Sequence, residues 1–255
     1  ALLREIAPER VREELTKLLC GQSAGRVLAE YAPVAAQVLP EVEPTFGFDQ
    51  HSPWHDKDVW RHTLAAVDAV PADPVLRWAA LLHDLGKAAC FTLDEKGVGH
   101  FYGHGEESAR LAGQILSRLR FDTDTRQKIV ALVALHDRPI VPERRPIRRL
   151  LARLGPEGTA NLIALHRADN AAQSPMAVGR QGELNRAQAV LNQLLAEGAC
   201  FQKKDLAVNG RDMLALGLKG PEIGRALDRC LEAVLAEQLP NQREALLGLV
   251  KETTA

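Results

Sequence analysis

Long apolar runs are missing from the 255 residues: the longest, such as residues 78–82, are far too short to span a bilayer. No charged-then-apolar leader opens the chain, so nothing indicates secretion. Cysteine is sparse. Cys20, Cys90, Cys200 and Cys230 lie far apart with no Cys-x-x-Cys spacing, which argues for reduced thiols in a cytoplasmic protein and against a zinc knuckle or redox pair. Neither sign of charge is in excess. Thirty-two basic residues against 33 acidic leave a formal net charge of −1, so any nucleic-acid contact has to rest on a local patch. With 46% hydrophobic and 25% charged residues, disorder, collagen-like fibres and a disulfide scaffold are excluded, and the length suits one large domain or two smaller ones. A starting methionine is lacking too; the chain opens on Ala1-Leu2-Leu3 and reads as a trimmed product or a piece of something longer.

What is present is helical periodicity. Apolar residues recur every three or four positions almost throughout, so the expected fold class is all-α. Pro8 suits a first helical residue, with Val11, Leu15, Leu18 and Leu19 on one face and Gly21 ending the helix. A second helix is expected over residues 25–39, broken near Pro33. Residues 40–58, rich in Pro, Gly, His and aromatics, read as a loop. Val59, Leu64, Val67 and Val70 line the next helix, and the almost wholly apolar segment 76–82 is a buried helix ending at Gly86. Another begins near Glu106, and Asp124 with Gln127 resembles a capping box for the helix leading to His136. From about residue 176 the composition shifts toward Gly, Gln and Asn, and two or three further helices finish the chain.

The residues with chemistry are imidazoles and carboxylates carried by different helices: His62, His83-Asp84, His104, His136 and Asp169. Helical bundles build metal sites from such sets. Neutral imidazole and ionised carboxylate suit divalent first-row metals and magnesium, and the absence of nearby thiolates disfavours structural zinc. A charged pair at the end of the most apolar helix is costly unless compensated, and a metal compensates it. Asp84 has two oxygens with which to bridge two ions, and Lys87, a turn beyond, offers positive charge to a phosphate oxygen. His51, His55 and His100 read as ordinary polar loop residues; His166 shares the Asp169 face, as an outer partner or a solvent-facing side chain. Asp122-Thr-Asp124 has the spacing of a metal-binding pair, yet it lies between helices and reads as a cap.

The order His62, His83-Asp84, Asp169, with Leu-Leu-His-Asp-Leu-Gly-Lys around the pair, resembles the HD superfamily of metal-dependent phosphohydrolases. The resemblance implies that those four residues hold one divalent ion and that His104 and His136, with Asp84 bridging, hold a second; manganese, nickel, magnesium, iron and cobalt all suit the set. A narrower resemblance covers nearly the whole chain. Glu9-Arg-Val-Arg-Glu-Glu-Leu, Phe46-Gly-Phe-Asp-Gln, Asp58-Val-Trp-Arg-His, Gly99-His-Phe-Tyr-Gly-His and residues 200–212 look like bacterial CCA-adding tRNA nucleotidyltransferases of the clostridial type. It implies neck-like helices over residues 1–50, an HD metal-binding domain over 51–175 and a helical body and tail over 176–255 with a possible tRNA-binding role.

The leading expectation is a metal-dependent phosphohydrolase or phosphodiesterase acting on nucleotides or RNA ends, with Asp84 and Lys87 in the reaction and no nucleotide addition by this chain. The alternative is the tRNA-binding portion of a CCA-adding enzyme, its metal site structural or vestigial. Arg138, Arg144, Arg145, Arg148, Arg149 and Arg153 cluster in one stretch, as a phosphate-binding face or a solvated helix face; Lys219 beside the Gly220-Pro221 helix start is a further phosphate candidate.

Overall fold

The computed structural model describes residues 6–52, 54–173 and 179–252. Twelve α-helices are described: α1 (Pro8–Leu19), α2 (Ala24–Glu30), α3 (Ala32–Val38), α4 (Val59–Ala69), α5 (Pro74–Leu82), α6 (His104–Arg118), α7 (Thr123–Val133), α8 (Arg144–Ala172), α9 (Gln181–Ala196), α10 (Gly210–Ala215), α11 (Pro221–Leu235) and α12 (Arg243–Glu252). The fold is all-α apart from an antiparallel pair, β1 (Thr92–Leu93) and β2 (Gly99–His100). That hairpin is too short to show an alternating pattern. The expected second helix is two, parted at Tyr31, with Pro33 in the first turn of α3. The cap of α7 is Asp122, whose side chain accepts from the Thr125 amide, and not an Asp124–Gln127 box; Asp124 instead pairs with Lys128.

The chain forms two compact units. The first comprises residues 1–139 and 160–185, the second residues 140–159 and 186–255. The expected boundary near residue 176 lies outside the described residues.

In the first unit α5 is the central element, packing against α1, α4, α6 and α7. Asp73 caps it by accepting from the Leu76 amide and Pro74 fills the first turn; from Leu76 to Leu82 every residue is buried. Trp78 is wholly enclosed, its indole N–H donating to Thr16 Oγ1 and its ring edge-on to Phe121. In the second unit Met213, Ala226, Cys230, Leu246 and Val250 form a core drawn from α10, α11 and α12. Helix α8 bends at Gly155 (φ 70°, ψ 178°), ahead of Pro156.

Candidate metal centre

Five segments of the first unit carry imidazoles or carboxylates to one point. Asp58 caps α4 by accepting from the Arg61 amide, which sets His62 on the face turned to the core. His83 is the C-cap of α5 and Asp84 follows it. Two residues on, Gly86 lets α6 approach: a Cβ there would lie 2.6 Å from the His104 carbonyl oxygen and 2.8 Å from the Ser108 amide nitrogen. Its own N–H donates to Ser108 Oγ at 2.9 Å, so the first turn of α6, with His104, is held beside Asp84. His136 lies in the turn after α7, and Asp169 arrives on the last turns of α8.

The imidazoles are oriented by backbone. His83, His104 and His136 each use Nδ1–H to donate to the carbonyl three residues earlier, at 2.7, 2.8 and 2.7 Å. A carbonyl only accepts, so Nδ1 carries a proton in each and Nε2 is the nitrogen turned inward, the arrangement metal-ligating histidines require. Those nitrogens converge on Asp84, which is 1% exposed. Its Oδ2 lies 3.2 Å from His83 Nε2 and 3.5 Å from His62 Nε2, while its Oδ1 lies 3.5 Å from His104 Nε2 and 3.4 Å from His136 Nε2. Asp169 Oδ1 is 2.8 Å from His62 Nε2 and 3.6 Å from His83 Nε2. Each carboxylate oxygen of Asp84 therefore serves a different half of the cluster.

Two donor sets result, His62–His83–Asp84–Asp169 and Asp84–His104–His136, each with ligand atoms within 4.8 Å of one another. The separations of 2.8–3.6 Å between neighbouring donor atoms match bonds of about 2.0–2.2 Å to a shared ion. His83 Nε2 is buried beside two carboxylates with no hydrogen-bond partner, an orphaned donor atom that a cation would engage, and the residues fit a divalent cation. His104 Nε2 and His136 Nε2 face each other at 3.1 Å.

Electrostatics agree. Burial alone would raise the Asp84 carboxyl, but His83 and Lys87 hold it well below the usual carboxylate range. Asp169 is likewise held down against burial, by its hydrogen bond to His62 and by the nearby His83 ring. Burial opposes the charged form of His83, yet Asp84 and Asp169 raise it to about 10. His104 is pushed down by burial.

The other candidates fall elsewhere. Lys87 is buried, with its ammonium 2.7 Å from Asp84 Oδ2, donating to Gln50 Oε1 at 2.9 Å and lying 5.4 Å from the Phe101 ring centre. Arg138 belongs to the first unit and pairs with Glu106; Arg144, Arg145, Arg148 and Arg149 belong to the second. Arg144 pairs with Glu197, Arg149 with Glu232, and Arg148 donates to the Val234 carbonyl, whereas exposed Arg145 and Lys219 make no side-chain ion pair among the described residues. His166 donates to the Leu135 carbonyl at 3.3 Å.

Sequence reasoning missed two neighbours of the site. His55, read as a loop residue, lies edge-on to His62 with ring centres 5.2 Å apart, and burial pushes it down to about 4. Gln50 is 1% exposed and holds Lys87. The only signal for either was the density of His and aromatics in the loop before α4.

Comparison with known proteins matches residues 102–250 to the family described as tRNA nucleotidyltransferase domain 2, and residues 1–45 to that described as "Probable RNA and SrmB-binding site of polymerase A". A CC-adding tRNA nucleotidyltransferase of Thermus thermophilus is 33% identical over 94% of the chain and 55% of its own length. An A-adding tRNA nucleotidyltransferase of Deinococcus radiodurans is 32% identical over 93% of the chain and 56% of its own. A "Multifunctional CCA protein" of Xanthomonas euvesicatoria is 31% identical over 92% and 60%. The chain thus spans little more than half the length of these relatives. They correct the leading expectation: a phosphohydrolase without nucleotide addition is overturned, because the similar proteins are named as transferases. The hydrolytic roles expected of Asp84 and Lys87 belong to that overturned reading.

Proposed function

The chain belongs to the tRNA nucleotidyltransferase family, and on that premise we propose that it supplies the tRNA-gripping part of a CCA-adding type enzyme, built around an HD-type metal centre. Nucleotide addition itself is assigned to the portion of the relatives that these residues do not match. His62, His83, Asp84 and Asp169 bind a divalent ion that ties α4, α5 and α8 together, with His104 and His136 on the far oxygen of Asp84. The role of the ion is structural: it neutralises the buried carboxylate of Asp84 and the half-buried one of Asp169.

The observation that carries the tRNA role is the charge left unpaired on the second unit. Fourteen Lys and Arg there stand against eleven Asp and Glu. Arg145, Arg153, Lys204, Arg211, Lys219, Arg225 and Arg229 are exposed and make no side-chain ion pair among the described residues. Cations held out in solvent without an acid partner are what a phosphate backbone neutralises. The test is fluorescence anisotropy of a tRNA transcript ending before its CCA, titrated with the 255-residue protein at several salt concentrations. The logarithm of the affinity is expected to fall linearly with that of the salt. Binding indifferent to salt, or none at all, would remove this reading.

A further inference from the structure

We infer that Lys87, held in place by Gln50, is a built-in countercharge that restricts the centre to a single divalent ion, in the His62–His83–Asp84–Asp169 half. This deepens the metal-centre reading above and rests on it. The Lys87 ammonium stands 2.7 Å from the same Asp84 oxygen that faces His62 and His83, at an angle too oblique for a hydrogen bond. Its directed bond goes to Gln50 Oε1 at 2.9 Å, and Gln50 Nε2 donates in turn to the Lys57 carbonyl at 3.1 Å. Gln50 is also gripped through its backbone: a Cβ on Gly99 would come within 2.2 Å of the Gln50 carbonyl oxygen. Lys87 is only 5% exposed, and its ammonium lies over the Phe101 ring.

Charge counting gives the consequence. Asp84 and Asp169 supply two negative charges, and neutral imidazoles none. Without Lys87, one divalent ion would exactly balance the pair and a second would leave two positive charges. With Lys87 present, one ion leaves one positive charge and a second leaves three, in a pocket where Asp84 and His83 are at most 1% exposed. Like charges a few ångströms apart repel strongly in such surroundings, even at the effective dielectric of a real protein. The two halves are also unequal as ligands. One has two carboxylates and two imidazoles; the other has two imidazoles and only the remaining oxygen of Asp84. The first ion therefore takes the first half, and the buried ammonium disfavours the second. Gln50 is a positioning residue in this scheme, acting through Lys87.

The test is manganese binding to chelator-stripped protein at one fixed pH, by calorimetry and by electron paramagnetic resonance, for the natural chain, Lys87→Met and Gln50→Glu. Lys87→Met removes the charge at similar length. Gln50→Glu keeps the shape and sets a carboxylate against the ammonium, so it should imitate Lys87→Met although Lys87 is still there. The natural chain is expected to hold one equivalent tightly, with the second weaker by roughly 100-fold or more. Both variants should take up two equivalents, with the spin-coupled signal of a manganese pair. Two equivalents of similar affinity in the natural chain would overturn the proposal, as would folded variants that still bind one. No bound manganese in any of the three would overturn the metal-centre reading itself, an outcome distinct from the other two.

Discussion

Among the described residues the buried acidic, basic and imidazole side chains, His62, Arg77, His83, Asp84, Lys87 and His136, all lie in the unit made of residues 1–139 and 160–185. The other unit encloses a core of Cys200, Leu206, Val208, Met213, Leu218 and their neighbours, with its charge kept at the surface. Formal charge divides the same way: 18 basic against 22 acidic residues in the first, 14 against 11 in the second. Similar helices thus serve opposite ends. Buried charge requires a compensating partner held at fixed geometry, so the first unit is built to receive a cation. Exposed, unpaired cations require only solvent and a flexible approach, so the second is suited to a polyanion.

The sharpest way to break this contrast is Asp84→Ala. It leaves Lys87 and the imidazoles without their shared anion, and removing one partner of a buried pair costs about 3–5 kcal/mol. Elemental analysis should find no bound metal and calorimetry a first unit much less stable, with most helical content retained at low temperature. Retained metal would mean that Asp84 is not the hub. The matching lesion in the second unit is Leu246→Ala, in a wholly enclosed position. Its cavity should cost about 2–5 kcal/mol while metal content stays unchanged; a loss of metal would show that the units are not independent in this respect.

Smaller effects sharpen the comparison. Neutralising Arg225 or Arg229 to Gln should flatten the salt dependence of tRNA affinity by about one unit of slope each, whereas Lys87→Met should leave it alone. Equal slopes in all of them would take α11 out of the RNA contact. Acid should act on the first unit first. Burial holds His166, and His55 as well, down to about 4, below an unfolded value of 6.5. Between those values the unfolded chain binds more protons, so this contribution to stability is present above pH 6.5 and is lost as pH falls toward 4. Urea titrations of His166→Gln should show a shallower decline over that window; an unchanged decline would clear His166 of it.

Much of this was legible in the residue order. The capped, apolar run from Pro74 to Leu82 announced a buried helix with a polar pair at its end, because a 3.6-residue period and a proline start leave few alternatives. The six metal candidates were equally visible, since imidazole and carboxylate have little reason to sit at the ends of apolar helices without a shared partner. Lys87 was visible but misdirected: spacing placed it a turn from Asp84, and only packing turned its ammonium inward to Gln50. Gln50 and His55 could not be found from spacing at all, because an irregular loop has no period from which to read a face. The arginine stretch shows the same limit. Arg144 and Arg145 are neighbours in sequence, yet one is paired to Glu197, 53 positions away, and the other makes no side-chain ion pair among the described residues.

Local order by itself determined most of the helices and the identities of the candidate ligand residues, because these depend on contacts within a few residues. The tertiary structure alone decided which oxygen of Asp84 faces which histidines, which cations are spent on ion pairs, and that Lys87 lies inside the centre. Those outcomes depend on side chains from distant helices meeting at fixed distances, as where Gly86 allows α6 to close on α5.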